Sequence, residues 1–210
     1  MVAIAPDNVR GQFNLAAAYT GLGRYDDAIT VLKRSIAIRP EATAFTNLGN
    51  AYFYLRRYEE ATAAYEQAIN LDQTDLLLWA NLGDGYYWTP GKRERAANAY
   101  QRAITLAEDK LKINSKDVFV LGISAVCHAM RDEKKPALDL LRRALQLAPN
   151  DPEIRFKAAL ISNHFGDAQQ ALSWLEKAVS VGASRNTIRD TPNFDGLRKD
   201  PRLEQLVPSR

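Results

Sequence analysis

Residues 45–69 read FTNLGNAYFYLRRYEEATAAYEQAI, and their spacing decides the fold. Phe45, Leu48, Gly49 and Tyr52 recur at steps of three and four, which places them on one face of a 3.6-residue helix. A break follows near Leu55 to Arg57, after which Ala61, Tyr65, Ala68 and Ile69 mark a second amphipathic helix. Small residues at fixed positions let neighbouring helix backbones approach closely, while the aromatic and Leu positions fill the space between them.

This pair of helices recurs along the chain. Ala28, Ala61, Ala96, Ala137 and Ala171 are each followed seven residues later by Ser35, Ala68, Ala103, Ala144 and Ala178. Twelve or thirteen residues before each first Ala stands Ala16, Gly49, Gly83, Ala125 or Ala159, at successive intervals of 33, 34, 42 and 34 residues. A fixed period of this size is the signature of a repeat array, in which each unit buries its apolar face against the next.

The residues resemble the tetratricopeptide repeat family, a helix-turn-helix module. The third unit carries the pattern best, as Trp79, Leu82, Gly83, Tyr86, Ala96, Tyr100 and Ala103, and the first and fourth units close on Pro40 and Pro149. The resemblance implies an all-α, right-handed α-solenoid of five repeats at about 9–41, 42–74, 76–116, 118–150 and 152–183, followed by a C-terminal capping segment over 184–210. It implies protein binding only broadly, because packing residues define the family and its ligands differ widely.

Two departures from the period are informative. The 42-residue interval is eight residues longer than 34. One extra residue falls in the turn around Trp88 to Lys92, and seven extend the second helix of the third repeat, where Ala103, Ala107 and Leu111 continue at helical spacing. Seven residues are about 10 Å of helix, expected to jut from one edge of the solenoid. At the ends, Ala3 to Asn8 read as the close of a preceding repeat, so the chain reads as part of a longer protein. Thr191 to Leu206 resembles the terminators of arrays in bacterial multidomain signalling proteins, with short helical patches near Thr187 to Asp190 and Leu203 to Val207.

Composition narrows the function without naming it. The chain has 210 residues, 46% hydrophobic and 25% charged, with 28 basic against 25 acidic, which suits a globular protein and implies neither nucleic acid nor a membrane surface. A single cysteine, Cys127, and two histidines exclude a disulfide framework and make metal chemistry improbable; no cofactor is expected. The longest apolar run, Val118 to Met130, has 13 residues, short of the roughly 20 needed to cross a bilayer. The start lacks the basic region and apolar core of a signal peptide, so the chain reads as cytoplasmic.

No catalytic constellation stands out, and the chain reads as non-enzymatic. Gly91-Lys92 lacks the flanking residues of a phosphate loop and marks a turn. His128 fills the slot held by Tyr19, Tyr52 and Tyr86 in the first three repeats, which reads as a packed histidine. Asp26-Asp27 and Glu59-Glu60 open second helices, where acidic groups complement the helix dipole.

The positions above background line the first helices on the face away from the packing residues, which in this family forms a concave groove. Asn14, Asn47 and Asn81 stand two residues before the small packing residue in repeats one to three; Asn50 and Asp84 stand one residue after it. Asparagine is a mediocre helix former, so three at one register invite explanation. Each carboxamide offers two donors and an acceptor, suited to the main chain of an extended peptide, and the groove is expected to hold an extended peptide or a partner helix. Phe53, Tyr54, Tyr87 and Trp88 lie near the turn end of the groove, where they form apolar pockets or pack between repeats.

Family members that clamp a C-terminal carboxylate use Lys, Asn and Arg at positions that here read Phe13, Ala17, Asn47, Leu77 and Asn81, so no such clamp is expected. In repeat four the groove face carries Phe119, Ile123, Val126 and Met130, an apolar surface that either marks an interaction site or is covered within the chain. The alternative to peptide binding is self-association through this apolar groove or an open end of the array, making a homo-oligomer.

Overall fold

Helices form where apolar positions at a 3.6-residue period lie between turn signals. The computed structural model describes residues 9–208; the reading of Ala3 to Asn8 as the end of a preceding repeat lies outside the described residues. Among the described residues, twelve α-helices follow in order: α1 Val9–Gly21, α2 Tyr25–Ile38, α3 Ala42–Tyr54, α4 Tyr58–Leu71, α5 Leu76–Trp88, α6 Arg93–Ile113, α7 Val118–Met130, α8 Lys134–Leu147, α9 Pro152–His164, α10 Ala168–Ser180, α11 Arg185–Asp190 and α12 Pro201–Leu206. A 3-10 helix, Pro192–Leu197, lies between the last two, and the described residues contain no strand. The all-α helical-repeat expectation is met.

One turn design joins the helices in four of the five pairs, α5 and α6 being joined by a different turn around Gly91. The N–H of Arg24, Arg57, Glu133 and Asp167 donates to the carbonyl five residues earlier, on Tyr19, Tyr52, His128 and Ser162, at 2.8–2.9 Å. The residue just before each donor is left-handed: Gly23, Arg56, Asp132 and Gly166 have φ of 71°, 63°, 62° and 81°. This geometry satisfies carbonyls that the helix end leaves open. Glycine adopts it freely, whereas Arg56 and Asp132 hold it at a cost of about 1–2 kcal/mol. Helix starts are secured from the sequence as well, by Asp75, Asp117, Asp151 and Asp167, whose carboxylates accept from the N–H of Leu77, Val120, Ile154 and Gln170.

The chain divides into two compact units, one ending at Ala96 and the other starting at Ala97, with the border inside α6. In the first unit α1 packs on α2, α2 on α3, α3 on α4 and α4 on α5, while α3 also touches α1 and α5. Ala28, Ala44, Ala61 and Ala68 are fully buried in this unit, as their small size at fixed helical positions requires. Tyr65 of α4, 3% exposed, passes between α3 and α5. A Cβ on Gly49 would stand 2.4 Å from the Tyr65 ring, and one on Gly85 would stand 3.1 Å from the ring's other side.

In the second unit α7, α8 and α9 share a core of Leu121, Ala125, Ala137, Leu141, Ile154, Ala158 and Ile161. A further core joins α9 and α10 to the C-terminal segment through Leu172, Leu175, Ile188, Phe194, Leu197 and Leu203. The two helical patches read near Thr187 and Leu203 are α11 and α12; the 3-10 helix between them carried no periodic signal. α6 has 21 residues where α2, α4 and α8 have 14, so the seven-residue extension is helical. It does not jut freely, however. Ala107 is fully buried, Leu111 packs against the core of α7, α8 and α9, and Arg143 Nη2 donates to the carbonyl of Ser115 at 2.9 Å. The apolar row that made the extension legible is the face that draws it onto the neighbouring helices.

Candidate functional site

The asparagine row lies on α1, α3 and α5, the first helices of three successive pairs. Asn14 is exposed, while Asn47 and Asn81 are half-buried. None of the three has a side-chain hydrogen bond to another described residue.

Asn50 and Asp84, one turn further on, sit in a different setting. Tyr65 Oη donates to Asn50 Oδ1 at 2.8 Å, and both Asn50 and Asp84 are half-buried. Burial, followed by the charge of Asp84, pushes the Tyr65 hydroxyl well above the usual tyrosine range, so it remains a donor. This bond was not read from the sequence. Its signal is the fifteen-residue separation of Asn50 and Tyr65, which takes meaning only when the two helices are antiparallel and in contact.

The aromatic residues form one continuous line of rings. Tyr54 stacks on Tyr25 with centroids 5.2 Å apart, and Trp88 stacks on Tyr58 at 5.8 Å. Phe53 joins the two pairs edge-on, 6.2 Å from Tyr54 and 5.6 Å from Tyr58. Tyr87 meets Trp88 edge-on at 5.6 Å, and the Arg93 guanidinium covers the Tyr87 ring at 4.3 Å. Phe53 is buried, whereas Tyr54, Tyr58, Tyr87 and Trp88 keep part of their surface in solvent. The rings therefore pack on one another and also present an apolar edge. Tyr25 and Tyr58, the first residues of α2 and α4, were absent from the expected pocket; their shared place 33 residues apart is the signal that identifies them.

Of the two alternatives for the apolar face of α7, open groove or cover within the chain, most of its residues follow the second. Ile123 and Met130 are 4% and 9% exposed, and Val126 packs against the core of α7, α8 and α9. Only Phe119, 53% exposed, faces solvent. A helix apolar on all sides buries more than one of them, and α7 does so.

His128 is half-buried at the end of α7 and is held by a hydrogen bond to Glu133 as well as by packing. Its Nδ1 lies 2.5 Å from Glu133 Oε2, and Arg131 Nε donates to Glu133 Oε1 at 3.0 Å. Burial acts to raise the Glu133 carboxyl, but the hydrogen bonds from His128 and Arg131 outweigh it and hold the group below the ordinary glutamate range. A lowered folded-state pKa stabilises above the unfolded value of about 4.3 and is lost as pH falls through the folded value. The stability difference between wild type and Glu133→Gln, measured by urea unfolding, is thus expected to shrink as the pH falls below about 4.3. Among the described residues no three His, Cys, Asp or Glu side chains are grouped to hold a metal ion, and no helix is long and apolar enough to cross a membrane.

Comparison with known proteins places this geometry. Residues 10–74 and 135–186 each match the profile of the Tetratricopeptide repeat family, together more than half of the chain. Among relatives, Small glutamine-rich tetratricopeptide repeat-containing protein 2 of Mycosarcoma maydis is 36% identical over 66 residues, 31% of this chain and 19% of that protein. The Hsp70-Hsp90 organizing protein of Triticum aestivum is 33% identical over 84 residues, 40% of this chain and 14% of that protein. The chain spans only 12–25% of the length of such relatives. The crystal structure of a thermophilic TPR protein from Thermus thermophilus superposes with a TM-score of 0.63 at 21% identity, covering 89% of this chain and 98% of that one, which is a likeness of fold. Repeated helix pairs, small residues buried at one register, the shared turn and the two family matches lead to one conclusion: the chain belongs to the tetratricopeptide repeat family, whose members generally mediate protein–protein interactions.

Proposed function

We propose that the unit ending at Ala96 is a binding module for an extended peptide, held along α1, α3 and α5 by contacts to its main chain. The observation that carries this reading is the row Asn14, Asn47 and Asn81, repeated at one register with no side-chain partner among the described residues. Carboxamides suit this task because each can donate to a peptide carbonyl and accept from a peptide N–H. The partly exposed edges of Tyr54, Tyr87 and Trp88 add apolar contact for ligand side chains at low entropic cost. The positions equivalent to a carboxylate clamp hold Phe13, Ala17 and Leu77 beside the asparagines, so the ligand is recognised by its backbone rather than by a charged end.

The module acts by binding and not by catalysis. A partner helix is a less fitting ligand, since it satisfies its own backbone groups and leaves the carboxamides without a role. Self-association through α7 or an open end of the array is the alternative reading, and the burial of Ile123 and Met130 supports it less at α7. The test is a titration of an immobilised library of ten-residue peptides with wild type and with the triple change Asn14→Ala, Asn47→Ala and Asn81→Ala. At about 0.5–1.5 kcal/mol per hydrogen bond, the triple variant is expected to lose at least about tenfold in affinity. Equal affinities would overturn the reading.

A further inference from the structure

Asn50 and Asp84 occupy one register on α3 and α5, each directly after the small packing residue, yet they offer a ligand opposite chemistry. The oxygen of the Asn50 carboxamide is engaged by Tyr65 Oη at 2.8 Å. Its Nδ2 has no partner among the described residues. With that oxygen engaged, the side chain faces the groove with two donors. Tyr65 cannot turn away to release it. Its ring is 3% exposed and lies in the slot between Gly49 and Gly85, where a Cβ on either side would meet it at 2.4 Å or 3.1 Å. The Asp84 carboxylate, whose charge is felt at Tyr65, accepts hydrogen bonds and donates none.

We propose that Tyr65 is a positioning residue that locks Asn50 as a donor, so that this level of the groove takes a ligand carbonyl at Asn50 and a ligand N–H or cation at Asp84. The inference rests on the groove reading above and deepens it. A free carboxamide can turn by half a revolution and exchange its donor and acceptor ends, as Asn14, Asn47 and Asn81 are able to do. The same exchange at Asn50 would turn its NH2 toward Tyr65 Oη and take from the buried hydroxyl the acceptor it now donates to, so the donor-outward arrangement is favoured. The asparagine row therefore supplies adaptable contacts, and the Asn50 and Asp84 pair supplies a fixed polarity. Packed neighbouring helices lie about 8–10 Å apart, so the two contacts fall about three residues apart on an extended chain.

Three variants separate this inference from the reading beneath it: Tyr65→Phe, Asn50→Asp and the asparagine triple. The first readout needs no ligand and follows the Asn50 side-chain NH2 pair by 15N-edited NMR, identified by its loss in Asn50→Asp. In wild type the pair is expected to be as ordered as the backbone, and in Tyr65→Phe it is expected to become mobile while the thermal melt confirms a folded protein. The second readout is the affinity of peptides selected from the ten-residue library by wild type. Tyr65→Phe is expected to weaken it about five- to tenfold. Asn50→Asp keeps the Tyr65 bond and loses the donors, so it is expected to weaken binding at least as much with little change in melting temperature. An NH2 pair equally ordered in wild type and Tyr65→Phe, with affinities within twofold, would overturn the positioning role even where the asparagine triple weakens binding. A triple variant that binds as wild type does would remove the groove reading itself.

Discussion

Replacing Phe194 with alanine is expected to destabilise the second unit by about 3–5 kcal/mol, the range for deleting a large buried aromatic side chain. Phe194 is 2% exposed within a core that draws on α9, α10, α11, the 3-10 helix and α12. Its ring meets Phe156 of α9 edge-on at 5.8 Å, an arrangement that adds to area burial alone. The segment bearing it has little means of holding itself, since a six-residue 3-10 helix and two six-residue α-helices are too short to persist alone. The side chains of Ile188, Phe194, Leu197 and Leu203, with the 2.6 Å hydrogen bond from Asn163 Nδ2 to the Asn193 carbonyl, tie it to α9 and α10. Denaturant unfolding followed by Trp174 fluorescence reports on this core directly, because Trp174 packs against it. A loss below about 1 kcal/mol would mean that the segment contributes little, since even modest cavities cost more.

Gly49→Ala is the second large effect, with an expected loss of about 2–3 kcal/mol despite the better helix propensity of alanine. The added methyl would stand 2.4, 2.6 and 2.9 Å from three carbons of the Tyr65 ring. The ring has little room to retreat, because Gly85 of α5 lies on its far side, where a Cβ would stand 3.1 Å from it. Overpacking of this kind costs typically about 1–3 kcal/mol, and the propensity gain of up to about 1 kcal/mol offsets only part of a clash near the top of that range. Gly21→Ala is the internal control. A Cβ there meets nothing within 4 Å, so the same substitution is expected to be neutral or stabilising by up to about 1 kcal/mol. Thermal or urea unfolding of the two variants side by side checks the sign of each; two losses of equal size would show that helix glycine, and not the Tyr65 slot, sets the cost.

The glycine contrast shows where the sequence was legible. Gly49 and Gly83 stood out because a residue that weakens helices recurs at one register, and Ala61 with Ala68 or Ala137 with Ala144 did so because small residues repeat seven apart. The extra helical length of α6 was readable from Ala107 and Leu111 for the same reason. Each of these signals is a local period, and a period survives in one dimension.

What a local period leaves open is what covers what. Ile123 and Met130, on a face that reads equally as groove or as covered surface, are buried, and Leu111 of the α6 extension packs against the core of α7, α8 and α9 where a projecting end was expected. Asn14, Asn47 and Asn81 have no side-chain hydrogen bond among the described residues, whereas Asn50, an identical residue three positions after Asn47, is held by Tyr65. The line of rings from Tyr25 to Tyr87 likewise draws on four different helices.

By itself, the sequence determined the helices, their pairing, the family and the residues that make close packing possible, because these follow from periodicity and side-chain size along the chain. Only the tertiary structure decided which polar groups are engaged and which apolar faces are covered. Those outcomes depend on the neighbour that a given face meets, and the period that builds every repeat alike is silent about it.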